Sequence, residues 1–209
     1  MAVSQQFDSL FQIHGAGIPV PYLRSLAKKE SNLNPASRGV SAWGLMQITE
    51  VVRRDYNTRH NAAWTRNDLL DPAVCIMIGA DLLRRIVDAY QANHGRIGNM
   101  GEDWDNQRFV ELVTFGWNAG YSQGGGVQKV VKYLAQQGHT SVTIDSVRAA
   151  VHAAGAADTL DRDDKVSWCK SVASLYMSER GLGSGEQEDG SVLLTATVVG
   201  TIAFKIGLI

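Results

Sequence analysis

The chain reads as an all-α domain of about seven helices. Two observations say so: apolar residues recur at helical spacing almost throughout, and no convincing alternating strand appears. Capping signals punctuate the periodic segments, as at "DPAVC", where Asp71 can cap and Pro72 can open the first turn. With 209 residues, 44% hydrophobic and 20% charged, the chain has enough apolar material for one ordinary core.

Phe7, Leu10, Phe11 and His14 give a first amphipathic helix, closed by "GAG". Pro21 opens a second, continuing through Tyr22–Lys29 to Glu30. "GLMQITEVVRRDY" is expected as a third, opening on Gly44 with Met46, Ile48, Val51 and Val52 inward. "DPAVCIMIGADLLRRIVDAYQAN" is the longest, stopped by "NHG". Residues 106–118 resume the period until "GYSQGGG" breaks it, and Val127–Gln137 follows, ended by Gly138. Residues 144–154 and 163–180 supply two more, so the domain is expected to span 1–181.

Beyond it, 182–190 reads as a polar Gly/Ser/acidic linker and 191–209 as a hydrophobic tail. That apolar run is roughly 28 Å long as a helix, close to a bilayer core of ~30 Å. It is a candidate membrane segment, with packing on the domain or on a partner subunit as the other reading. The N-terminus lacks the basic and continuous apolar regions of a secretory signal.

The formal net charge of −1 gives no reason to expect a specific nucleic-acid partner. Arg53–Arg54 and Arg84–Arg85 lie beside acids in helical patterns, as solvated faces do. Cys75 and Cys169 sit in separate apolar segments and are expected as buried thiols, although one disulfide is possible. The five histidines form no ligand spacing, so no metal or cofactor is expected.

Leu23, Leu26, Ala27 and Glu30 fall at i, i+3, i+4 and i+7, which puts a carboxyl at the end of an apolar stripe. Desolvation there favours the protonated form, as a general acid requires, although from this helix alone a turn-capping or arginine-paired glutamate is the better reading.

The residues that follow carry a resemblance. "ESNLNP" and "GLMQ" (Gly44–Gln47) resemble the first two motifs of the lytic transglycosylases of the soluble-lytic-transglycosylase type, which share the lysozyme-like fold. "DPAVCIMIGADLL" is similar to the third motif, with Cys75 in place of the usual asparagine. "FGWNAG" is similar to the fourth, with Trp117 in place of tyrosine. The four stand in order over about residues 20–180.

The resemblance implies Glu30 as the single catalytic acid/base acting on peptidoglycan. It implies a substrate-binding set of Ser37, Ser41, Met46, Gln47, Trp117, Asn118, Ala119, Gly120 and Trp168. The loop before "GLMQ" is about one residue short of the family pattern, so Ser37 and Ser41 are alternatives for one sugar-binding serine. Trp168 stands near the family's last tyrosine, with Tyr133 and Tyr176 as substitutes. Trp43 and Trp117 can either face sugar rings or pack in the core.

The implied reaction cleaves the β-1,4 bond between N-acetylmuramic acid and N-acetylglucosamine and forms 1,6-anhydromuramic acid. Two other readings stand beside it: a hydrolytic lysozyme of the same fold, with Glu50 the nearest second carboxylate, and a structural virion or ejection-channel component. The apolar tail and the absent signal suggest a virion-associated or cell-envelope protein, piercing the wall during phage genome delivery beside other ejection proteins and a lipid bilayer.

Overall fold

A computed structural model describes residues 3–92 and 96–181. These form eight α-helices: α1 Asp8–His14, α2 Val20–Ser31, α3 Glu50–His60, α4 Pro72–Gln91, α5 Gln107–Ala119, α6 Val127–Gln136, α7 Ile144–Ala149 and α8 Asp163–Glu179. A two-stranded antiparallel ribbon, β1 Ala42–Trp43 and β2 Ile48–Thr49, joins α2 to α3, pairing Ala42 with Thr49 and Trp43 with Ile48.

The helix α5 is the axis of the domain. Its residues 109–116 are buried without interruption, from Phe109 to Gly116, so it is enclosed all round rather than on one stripe, with Glu111 and Thr114 buried among its apolar side chains. Around it pack α8, α4, α6 and α7, while α2 lies against α8 and α1. The expected capping of α4 is present, with Asp71 Oδ1 accepting the Ala73 N–H at 2.8 Å. Asn106 caps α5 in the same way, through Arg108 N–H at 3.0 Å.

One buried arginine gathers three helices. Arg24 on α2 donates to both carboxylate oxygens of Asp8 on α1, at 2.9 and 2.6 Å, and to Glu179 on α8 at 3.0 Å. A paired, hydrogen-bonded charge is tolerated inside a protein, whereas an abandoned one costs several kcal/mol, roughly 3–5.

Three expectations need correction. The third helix begins at Glu50, not at Gly44, because Gly44 and Gln47 take positive φ (80° and 48°) and Thr49 caps through Val52 N–H. Met46 and Ile48 do point inward, from the turn and ribbon, but Val51 is 77% exposed. The expected helix over 144–154 ends at Ala149. Its start is set by a reciprocal Thr143–Ser146 capping box, and turns follow to Gly155.

Both cysteines are buried free thiols. Each paired arginine has its acid: Arg53 and Arg54 meet Glu50, Arg84 meets Asp88 and Glu102, and Arg85 meets Asp55. Among the described residues no helix is long and apolar enough to cross a membrane. The stop at 93–95, the linker 182–190 and the tail 191–209 lie outside the described residues.

Candidate active site

An open cleft of about 280 Å³ lies where the end of α2 faces the ribbon and the end of α5. Glu30, in the last turn of α2, lines it. Ala42, Gln47, Thr49 and Val52 line it from the ribbon side, Leu82 from α4, and Trp117 and Asn118 from α5.

The loop "SNLNPASRGVSAWG" is a scaffold for this arrangement. Asn32 and Leu33 both adopt left-handed backbone (φ 57° and 60°), which turns the chain sharply after Glu30. Leu33 anchors the turn in the core. Ser31 Oγ donates to Leu45 O at 2.7 Å, tying the Glu30 helix directly to the 44–47 turn. Asn34 Oδ1 accepts from Ala36 N–H at 3.0 Å, an Asx turn.

Gly44 cannot be replaced in that turn. A Cβ there would lie 2.0 Å from Leu69 O and 2.8 Å from Cys75 Sγ, at a φ that side chains rarely adopt. Cys75, standing where the resembled motif has asparagine, supports the turn from below by accepting the Met46 N–H at 3.3 Å. Gly79 leaves room for the Met46 thioether, whose sulfur would sit 2.8 Å from an added Cβ.

Burial raises the Glu30 carboxyl to about 7, against the downward pull of the Trp117 hydrogen bond and of the Lys165 charge. The Trp117 indole Nε1–H donates to Glu30 Oε1 at 2.6 Å. Glu30 therefore holds its proton near neutrality and still has a donor ready for the carboxylate that proton loss creates.

Of the residues predicted from sequence, Gln47, Trp117 and Asn118 share the cleft with Glu30; Ser37, Ser41, Met46, Ala119, Gly120 and Trp168 do not line it. Met46 is wholly buried core beneath the turn. Ser37 is half-buried and gives its carbonyl to Gly44 N–H at 2.8 Å, while Ser41 is exposed just ahead of β1. Ala119 and Gly120 end α5, and Gly120 (φ 97°) turns the chain away.

Trp168 packs half-buried against the core, and Tyr176 is enclosed with Tyr22 and Trp104, its hydroxyl bonded by Arg180 at 2.8 Å. Tyr133 packs half-buried against the core as well. The α8 residue that reaches the site is Lys165, which sequence reasoning missed: its Nζ donates to Asn118 O at 2.7 Å and to Asn118 Oδ1 at 2.8 Å.

Neither tryptophan is a free platform. Trp117 is engaged edge-on with Glu30, and the Trp43 ring has the guanidiniums of Arg38 and Arg66 over it, 4.9 and 4.2 Å from its centroid.

Glu50, the alternative carboxylate, does not line the cleft. Arg53 and Arg54 hold it ionised, down to about 2. Among the described residues no cluster of His, Cys, Asp and Glu gathers as a metal ion would need.

The 70-kDa soluble lytic transglycosylase of Escherichia coli has a similar fold, with a TM-score of 0.57 and 19% identity over 86% of this chain and 25% of that one. A 70-kDa soluble lytic transglycosylase in complex with bulgecin A gives 0.58 and 19% over 86% and 25%. An inactive mutant of the lytic transglycosylase Slt from Pseudomonas aeruginosa gives 0.58 and 16% over 87% and 25%. This chain thus spans about a quarter of the length of those structures. No curated protein matches it in sequence. The family model for the transglycosylase SLT domain matches residues 11–139, which include Glu30, the 44–47 turn and the Trp117–Asn118 pair, and the chain belongs to that family.

Proposed function

We propose that this domain is a peptidoglycan lytic transglycosylase, cleaving the β-1,4 bond between N-acetylmuramic acid and N-acetylglucosamine to leave 1,6-anhydromuramic acid. The observation that carries the reading is a solitary carboxyl in the cleft, held near 7 and bonded by an indole N–H.

Glu30 donates its proton to the bridging oxygen as the glycosidic bond breaks. The carboxylate left behind is stabilised by the Trp117 N–H and by the Lys165 charge. It then takes the proton of the muramyl C6 hydroxyl, whose oxygen closes on C1. No water is consumed, and Glu30 ends protonated, as it began. An intramolecular hydroxyl can be worth an effective molarity of ~10⁵ M or more, so no second carboxylate is needed to activate a nucleophile. Gln47 and Asn118 hold the sugar from opposite walls.

The hydrolytic reading needs a second carboxylate across the cleft. Glu50 is turned to its arginines, and among the described residues Glu30 is the only acid lining the site. Mass analysis of muropeptides released from purified sacculi tests the choice. Anhydromuramyl ends are expected; reducing muramic acid as the main product would establish a lysozyme instead.

The proposal extends to setting. With the apolar run 191–209 behind a polar linker, the domain acts at the cell envelope as a virion-delivered wall-piercing enzyme. Full-length protein should float with liposomes, and a chain ending near residue 184 should not.

A further inference from the structure

We propose that Lys165 is a positioning residue of this site, one that fixes the orientation of the Asn118 amide and supplies the unpaired positive charge beside Glu30. The inference rests on the transglycosylase reading for its catalytic consequence, but not for its geometry.

An ammonium group only donates, so the group it meets at 2.8 Å must be the amide oxygen of Asn118 and not its nitrogen. A second bond from the same Nζ to the Asn118 carbonyl, at 2.7 Å, holds the ammonium at the C-terminal end of α5. There, helix carbonyls lack partners and favour a cation. With Oδ1 taken by Lys165, the Asn118 Nδ2 is left as a donor for the cleft that Asn118 lines. Asn118 thus selects an acceptor on the substrate, such as an amide carbonyl or a sugar oxygen, over a donor.

At the N-cap of α8, Arg162 lies near Lys165, but it is closed on Asp164 by two bonds at 3.0 and 2.6 Å, so that pair is neutral in sum. Cys169 on α8, Tyr22 on α2 and Cys75 on α4 are buried with their acid groups pushed upward, and are neutral at working pH. Lys165 itself has no carboxylate within ion-pair distance among the described residues, and two of its three N–H bonds go to Asn118. Its charge is therefore the one that reaches Glu30 uncancelled. When Glu30 gives up its proton, Lys165 lowers the energy of the anion without a direct contact that would hold it ionised beforehand.

Three substitutions separate the two roles. Lys165→Met removes both, Lys165→Gln keeps donors for Asn118 without charge, and Lys165→Arg keeps both. The Trp117 indole N–H resonance, assigned with Trp117→Phe, reports Glu30 ionisation by NMR in the substrate-free protein. Its titration midpoint is expected to rise by at least ~0.5 pH unit in the Met and Gln variants and to stay in place in Arg. On sacculi, kcat/KM should fall about tenfold or more in Met, with partial return in Arg. Lys165→Met and Asn118→Ala combined should cost no more than the worse single change, because they act as a unit.

An unmoved midpoint in both uncharged variants, with additive losses, would make Lys165 a mere helix tie and overturn the inference. A moved midpoint in a protein that cleaves no sacculi would support the inference and sink the transglycosylase reading instead.

Discussion

Glu30 and Glu50 lie twenty residues apart and carry the same carboxyl, yet the fold drives them in opposite directions. Glu30 closes α2 on an apolar stripe, and burial lifts it to about 7. Glu50 opens α3 in solvent, and two arginines one turn along the helix pull it down to about 2. The difference lies in what each carboxyl faces: a cleft wall with a single N–H donor, or two guanidiniums. A protonated acid at neutral pH is made by removing water and withholding a close cation, and only one end of this helix–ribbon–helix unit does both.

The largest effect that would break this contrast is on turnover. Glu30→Gln should lower muropeptide release by ~10²–10⁴-fold, the range that general acid–base participation contributes. The same substitution should be stabilising at alkaline pH. A raised carboxyl favours folding below its unfolded value, and that contribution fades as pH climbs from about 4.5 through about 7. The wild type should thus lose stability across that window, while Glu30→Gln should not. The gap should approach roughly 3 kcal/mol above pH 8, read from urea midpoints at pH 5 and pH 8.5.

A smaller change sharpens the account. Trp117→Phe keeps the ring but removes the donor, so the Glu30 midpoint in the pH–rate profile should rise, and activity at pH 7 should fall about tenfold. Glu50→Gln should be the mildest, with less than about twofold change in activity. Its sign with pH is opposite: the arginine contacts favour folding above the ordinary carboxylate range and are lost as pH falls towards about 2. Melting of the Glu50→Gln variant at pH 7 and pH 3 should differ from wild type less at the lower pH.

The Glu30 side of the cleft was legible because a helical period and a cap-rich loop are local signals. Leu23, Leu26, Ala27 and Glu30 share a face whatever packs against them, and the ordered motifs brought Gln47, Trp117 and Asn118 to the same site. What was not legible is where helices meet. Trp117 reaches Glu30 across 87 residues, and its role as donor rather than stacking surface depends on how α5 crosses α2. On α8 the resemblance pointed to Trp168, at the place of the family's last tyrosine; Lys165 lies three residues earlier on the same helical face, and only the crossing decides which end of that face touches α5. The ribbon escaped notice for a different reason: two-residue strands are too short to show alternation, and the buried Leu45, Met46 and Ile48 mimic a helical stripe.

The Arg24 clamp has a mechanical meaning. It joins α1 and α8 to α2, six residues ahead of Glu30, through bonds to Asp8 and Glu179. Tension carried by the chain past residue 181 enters the domain within two residues of Glu179. The guanidinium then acts as a rivet that passes the load to the backbone bearing the acid. Stretching the domain by the end of α8 would load α2 through this one guanidinium, so the helix that ends the described fold and the helix that bears Glu30 share a single joint.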